Sequence, residues 1–440
     1  MEYHKVRSRL VTLLIVGSLF VVTACSSQSH GVVTATPSAT LPAIPFTAGH
    51  QSPDPVAQYA RLYVDTMTLD AKIGQLLYVQ SYSNGIYQYP TSAIVQKFQP
   101  GGLIVYQGEL QNASQAQSYF QHIQADSHIP VLIGTDDEGG AEWRLDNIYP
   151  GAPPSAADIG ATNDPQVAYN QGAKVADLTK SVGMNVDLAP VADVHPGGQV
   201  RDFGTTPDQV TKMAGAWMRG LQDHGVIATL KHFPGLGGTY SDPHAGLPVI
   251  NHTRDEIEKQ DLAPFRNLIN SNDPPGMIMS TDILMTAVDA VNPAEVSQPI
   301  MTGMLRDELH YDGVVMTDAL YMGGMGQYMC NIDHVSPCDP LTYAKVNSAV
   351  LGRLGVMAIQ AGNDMILGTF NVENTQVMVD SIKNAITKGT LTQARIDQSV
   401  RRIITLKMHH GLIPVQVPQP QPGVLASIGA LTVAITDRRS

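Results

Sequence analysis

Between residues 56 and 410 the chain repeatedly shows short, nearly continuous apolar runs, several of which stop on a polar residue. They are Gly102–Tyr106, Val131–Asp136, Val186–Val191, Val226–Lys231, Met277–Ser280, Val314–Asp318 and Asp364–Leu367. Apolar side chains at successive positions fill both faces of a strand, so each run must be covered above and below. A sheet of such strands cannot leave one face to water. It needs helices around it.

Amphipathic stretches of the right length lie between the runs. Leu69 to Val79 reads as a helix opening behind Thr68 as N-cap, and Pro207–Asp223 and Ala394–His409 carry apolar residues at helical spacing. Strand–helix alternation over this length fits a doubly wound sheet or an α/β barrel. Asp136, Lys231, Asp282 and Asp318 fall at the C-terminal ends of strand-like runs, where barrel enzymes keep their chemistry. Any one of them alone could cap the next helix; four at equivalent positions favour a (β/α)8 TIM-type barrel. The expectation is α/β, with a single catalytic domain over residues 56–413.

Composition limits what such a domain would bind. Of the 440 residues only 15% are charged, and the formal net charge is −12. Nucleic acid and anionic lipid surfaces both need a basic face, so neither is an expected partner. The N-terminus reads differently. Lys5, Arg7 and Arg9 precede an apolar run from Leu10 to Val22, then Thr23, Ala24 and Cys25. A basic start, a short apolar run and small residues before a cut describe an export signal. Cysteine after the small pair resembles a lipobox. Residues 1–25 are therefore expected to be a lipoprotein signal, with Cys25 lipidated and 26–55 a Ser/Thr/Pro-rich tether. That places the domain outside the cytoplasm, with membrane contact only through the anchor. Residues 414–440 read as a Pro-rich tail whose apolar end packs back on the barrel. Cys330 and Cys338 lie close together, which in an exported chain reads as a disulfide. A zinc site with His334 is the weaker alternative, since no second CxxC or HxxxH supplies more ligands.

Three stretches carry chemistry. In Thr135-Asp136-Asp137-Glu138-Gly139-Gly140 a strand end delivers carboxylates into a glycine pair that lets a ligand come close to backbone. Sugar hydroxyls suit such acceptors; Mg²⁺ or Ca²⁺ is the rival. Successive side chains point different ways, so Asp136 alone is expected to face the pocket. In Gly313–Leu320 a buried strand delivers Asp318, as structural acceptor or as nucleophile; the strand leaves both open. In KHFPGLGGTYSDPHAGLP, residues 231–248, Asp242 and His244 lie two apart and point the same way in extended backbone. The carboxylate can then orient the imidazole as a general acid/base. The tripeptide alone could equally be a solvated turn.

That last stretch resembles the signature of family 3 glycoside hydrolases of the β-N-acetylhexosaminidase type. MTLDAKIGQLL, GTDDEGGAEWRL, LAPVADV with Arg201-Asp202-Phe203-Gly204, GVVMTDALYM, AGNDMIL and IDQSVRRIITLK resemble its other segments, in order, over about residues 65 to 410. The resemblance implies a metal-independent, cofactor-free, retaining and exo-acting β-N-acetylglucosaminidase, acting on peptidoglycan- or chitin-derived oligosaccharides. It implies Asp318 as nucleophile, His244 oriented by Asp242 as acid/base, and Asp136, Arg144, Arg201, Lys231 and His232 gripping the terminal sugar. The chain departs from the pattern at Leu236, Gly238 and Pro243 in the loop, and at Asp282, where many members have histidine. Asp282 is expected to alter how the sugar's substituents are bound. A β-glucosidase or xylosidase of the same family, a phosphorylase, and a non-catalytic lipid-anchored sugar-binding protein are the alternatives. Local supply of an acid by the Asp-x-His loop favours the hexosaminidase type.

Overall fold

The computed structural model describes residues 54–415. The signal, Cys25, the tether and most of the tail lie outside them. Eight parallel strands close a barrel in chain order: β1 Leu77–Gln80, β2 Gly102–Ile104, β3 Leu132–Thr135, β4 Val186–Asp187, β5 Ile227–Phe233, β6 Met277–Ser280, β7 Val314–Ala319 and β8 Met365–Thr369. Closure comes from β1, which pairs with β2 through Tyr78 and Gly102 and with β8 through Leu77 and Ile366. The fold is a (β/α)8 barrel, as the polar residues at the strand ends favour over a doubly wound sheet.

Every strand contributes to one interior cluster, with Tyr78, Ile104, Leu132, Val186, Ile227, Met279, Met316 and Leu367 among its members. The closing helix Gln393–His409 adds Ile403 and Leu406. Methionine is unusually prominent here: Met277, Met279, Met316 and Met365 belong to the same cluster. Its unbranched side chain fills irregular gaps where short strands converge. The helix also anchors the N-terminal face of the barrel. Asp364, just before β8 and fully buried, accepts from Arg306 at 2.7 Å, from Ser399 at 2.7 Å and from the Val315 amide at 3.1 Å, with Arg402 at 3.3 Å. Burial alone would raise this carboxyl; Arg306, Arg402 and Arg395 outweigh it and hold it below the ordinary range.

Two readings need correction. The helix expected over 69–79 stops at Gln75, and Leu77–Gln80 is β1. Gly74 packs so closely on the carbonyl of Phe98 that no side chain fits there, and the Leu-Leu-Tyr-Val run beyond it satisfies a strand covered on both faces as well as a helix. Periodicity cannot separate the two in so short a run. The strand expected over 186–191 pairs only at Val186–Asp187, with an isolated bridge from Val191 to Lys231. Pro190 has no amide proton to give the ladder. Cys330 and Cys338 are joined as a disulfide, Cα atoms 6.1 Å apart, spanning the end of the helix Gly323–Asp333 and the loop after it. Among the described residues no helix is long and apolar enough to cross a membrane.

Candidate active site

At the C-terminal end of the barrel the strand ends surround a cavity of about 560 Å³. Asp136, Arg144, Arg201, Lys231, His232, Asp242, His244 and Asp318 all line it. Residues spread over 183 positions of sequence are brought to one place because parallel barrel strands deliver their ends to the same rim.

Lys231 forms the floor. It points inward from β5, is 1% exposed, and places Nζ 2.6 Å from Asp136 Oδ1 and 2.7 Å from Glu138 Oε1. Arg201 closes on Glu138 from the other side as a two-pronged pair, with both nitrogens at 2.7 Å. Burial pushes the Glu138 carboxyl up, and Lys231 and Arg201 together pull it well below the ordinary range. The acidic run therefore divides by alternation: Asp136 and Glu138 face the cavity, while Asp137 turns away. This corrects the expectation that Asp136 alone faces it. Asp137 is buried beneath, its amide donating to Asp187 at 3.1 Å and its Oδ1 accepting the Arg144 amide at 2.9 Å. Burial pushes Asp137 up to about 7. Among the described residues no group of three or more His, Cys, Asp and Glu side chains is arranged to hold a metal ion. The Asp136 and Glu138 carboxylates are instead satisfied by cations of the chain itself.

Two Asp–His pairs differ in setting. His232, cis to Lys231, donates from Nδ1 to Asp193 at 2.8 Å, and both side chains are almost fully buried. Asp193 is in turn fixed by the Leu236 amide at 2.8 Å. This imidazole is locked, with Nε2 left for a ligand. His244 makes the same bond to Asp242 at 2.8 Å, yet the two side chains are 69% and 64% exposed. An imidazole with a fixed tautomer and open access to water is suited to giving and recovering a proton. Asp318 reaches the cavity from β7. Its Oδ1 accepts the Ala319 amide at 2.7 Å, and its own amide donates to Glu295 at 2.6 Å.

The loop that carries His244 is tied down at three points. His195 bridges Asp202, at 3.0 Å from Nδ1, and the Thr239 carbonyl, at 3.1 Å from Nε2. Tyr240 accepts the Gly197 amide at 2.9 Å. Pro243 accepts the Gly324 amide at 2.9 Å, and the loop passes so close to Gly323 that a side chain there would strike the His244 carbonyl. Burial opposes a charge on His195, but Asp202 outweighs it and raises the imidazole; Asp202 itself is raised by its own burial. The geometry favours the ion pair, because both ring nitrogens face acceptors. His195→Ala is expected to speed amide exchange across residues 237–246 by about 10-fold or more, as the charge-assisted bond to the Thr239 carbonyl is lost, and to lower the melting temperature, since the buried Asp202 is left without its cation. Unchanged exchange there would remove the anchoring role from His195.

Glu138, Asp193, His195 and Tyr240 were not picked out from the sequence as members of the site. Position i+2 from Asp136 was a signal for Glu138; Asp193 and His195 follow a strand that a proline interrupts, which hid their alternation. Asp282, expected near the sugar, lies two residues past β6, is fully buried, and is absent from the cavity wall.

Residues 68–406 match the glycosyl hydrolase family 3 N-terminal domain. The chain is 33% identical over 340 residues to β-hexosaminidase A of Pseudoalteromonas piscicida, covering 72% of this chain and 54% of that protein. It is 31% identical over 288 residues to β-hexosaminidase LpqI of Mycobacterium tuberculosis, covering 63% of this chain and 68% of that one. Among solved structures it resembles a family 3 β-N-acetylglucosaminidase from Paenibacillus sp. FPU-7, with TM-score 0.68 and 30% identity over 81% of this chain and 65% of that one. The chain thus spans about half to two thirds of these relatives' lengths.

Proposed function

The chain belongs to glycosyl hydrolase family 3, and from that membership we propose that it is a retaining, exo-acting β-N-acetylglucosaminidase. The observation that carries this reading is one cavity lined both by a strand-borne carboxylate, Asp318, and by an exposed imidazole, His244, with its partner Asp242. In the proposed sequence Asp318 attacks the anomeric carbon as the bond to the leaving oxygen breaks, and His244 Nε2–H protonates that oxygen. A glycosyl ester of Asp318 results. The now neutral His244 takes a proton from water, whose oxygen attacks the same carbon and releases Asp318, so configuration is retained. A histidine in place of the second carboxylate avoids setting two anions against each other.

Asp136, Lys231, Arg201, His232 and Arg144 are proposed to hold the terminal sugar. Their fixed charges and the closed floor beneath Lys231 support removal of single sugars from a chain end. The names of the relatives favour a β-linked N-acetylglucosaminide, and peptidoglycan- or chitin-derived oligosaccharides are its sources. Export and a lipid anchor at Cys25 are proposed from the N-terminal pattern alone.

The test is turnover of nitrophenyl β-glycosides of N-acetylglucosamine, glucose and xylose by the full chain and by His244→Ala, beside an oligosaccharide substrate. The N-acetylglucosaminide should be the substrate turned over. The variant should lose about 10²- to 10⁴-fold on the oligosaccharide, whose leaving group needs a proton, and less on the nitrophenyl glycoside. Preference for glucoside or xyloside would keep the mechanism and overturn the specificity. Sugar 1-phosphate as product in phosphate buffer would make the protein a phosphorylase. Sugar binding without turnover would make it a binding protein.

A further inference from the structure

Behind Asp318 lie two carboxyl groups that this reaction scheme does not use. Glu295 sits on the turn Ala294–Val296 in the connection from β6 to β7 and is fully buried. Its Oε1 accepts the Asp318 amide at 2.6 Å, while Oε2 has no partner among the described residues. Its main chain is held as well: Asn363 Nδ2 donates to the Glu295 carbonyl at 2.8 Å, and Asn363 Oδ1 accepts the Ser280 hydroxyl at 2.9 Å. The turn is thereby fastened to the end of β6 and the start of β8. Asp282, also fully buried with Oδ2 unpartnered, backs onto Gly324.

The charged groups that face Glu295 are Asp318 and, through the β6 end, Asp282. All three are acids. An ionised carboxylate buried without a cation or a full set of donors is strongly disfavoured, and an orphaned oxygen on each buried group is the place a proton would occupy. Burial, and then the neighbouring acids, push both Glu295 and Asp282 well above the ordinary carboxylate range. Of the three, Asp318 alone lines the cavity.

We propose that Glu295 is the positioning residue of Asp318: an uncharged carboxyl that fixes the nucleophile's peptide without adding negative charge beside it. With its amide held by Glu295 and Oδ1 held by the Ala319 amide, Asp318 keeps Oδ2 free for the sugar. An ionised Glu295 would make the same hydrogen bond but repel the nucleophile, delaying its ionisation to higher pH. The inference rests on Asp318 being the nucleophile.

The experiment is the pH dependence of kcat/KM for the full chain, Glu295→Gln and Glu295→Ala. Glu295→Gln keeps the acceptor and should retain kcat/KM within about threefold, with the acid limb in place. Glu295→Ala should lose about 10- to 100-fold, the effect of freeing one buried amide, with kcat falling more than KM changes. An acid limb that drops by more than about half a pH unit in Glu295→Gln means the native group is charged and overturns the proposal. So does an alanine variant that melts earlier yet turns over normally. Should Glu295→Ala fail to fold, the glutamine profile decides. A second readout is independent of activity: the infrared difference between wild type and Glu295→Gln at neutral pH should contain the carbonyl band of a protonated acid. A carboxylate band there overturns the proposal. Lack of turnover by wild type, with the acid band present, would instead refute the function.

Discussion

Asp318→Asn is expected to reduce kcat by roughly 10²- to 10⁴-fold, ~3–5 kcal/mol of transition-state stabilisation, while the protein stays folded. The amide carries no charge to stabilise a positive anomeric centre and is a poor nucleophile, so the covalent step is lost. Nothing in the packing requires the carboxylate. An asparagine oxygen can accept the Ala319 amide as Oδ1 does, and the residue lines the cavity. With Glu295 and Asp282 uncharged, losing the charge on Asp318 breaks no ion pair among the described residues and spares a partly buried carboxylate its desolvation, so the melting temperature is expected to stay level or rise. Such exchange of stability for activity is common at active sites. Thermal melting and turnover of the same sample check both halves. A variant that keeps more than a tenth of native turnover would move the nucleophile elsewhere.

Lys231→Met is expected to destabilise the fold by about 3 kcal/mol, because it leaves buried carboxylates short of a cation. Arg201 still pairs with Glu138, but Asp136 loses its ion pair and Glu138 loses half of its own. The pH dependence has a definite sign. Burial raises Glu138, and Lys231 and Arg201 more than reverse it, so the folded carboxyl titrates below the unfolded one. A depressed carboxyl stabilises above its unfolded pKa and loses that stabilisation as pH falls through the folded value. Native protein therefore keeps this contribution into strongly acidic solution, whereas the variant should lose it at higher pH. Denaturant unfolding between pH 4 and pH 8, roughly the span from a model glutamate to above neutrality, measures the shift. Adding Glu138→Gln to Lys231→Met should restore part of the stability, since the coupling is between the two groups. A double variant whose loss equals the sum of the two single losses would mean the pair is not coupled.

Local pattern in this sequence pointed to the barrel and to several of the residues that line its cavity. Continuous apolar runs such as Met277–Ser280 and Val314–Asp318 suit strands covered on both faces, and the polar residue that ends each of these two falls at the rim. The Asp242–His244 spacing is a local property as well, complete within three residues. What depended on the tertiary structure were the roles set by neighbours distant in sequence. Leu77–Gln80 is a strand because β2 and β8 flank it, although its run would serve a helix equally well. Glu138 is a site residue because Lys231 from β5 and Arg201 from the connection between β4 and β5 arrive to offset its burial. Asp282 and Glu295 lie close to Asp318 but outside the cavity wall, because the β6–β7 connection brings them to the end of β7. Hydrogen bonds and charges act through space over a few ångströms, and only the closed barrel decides which residues come within that range.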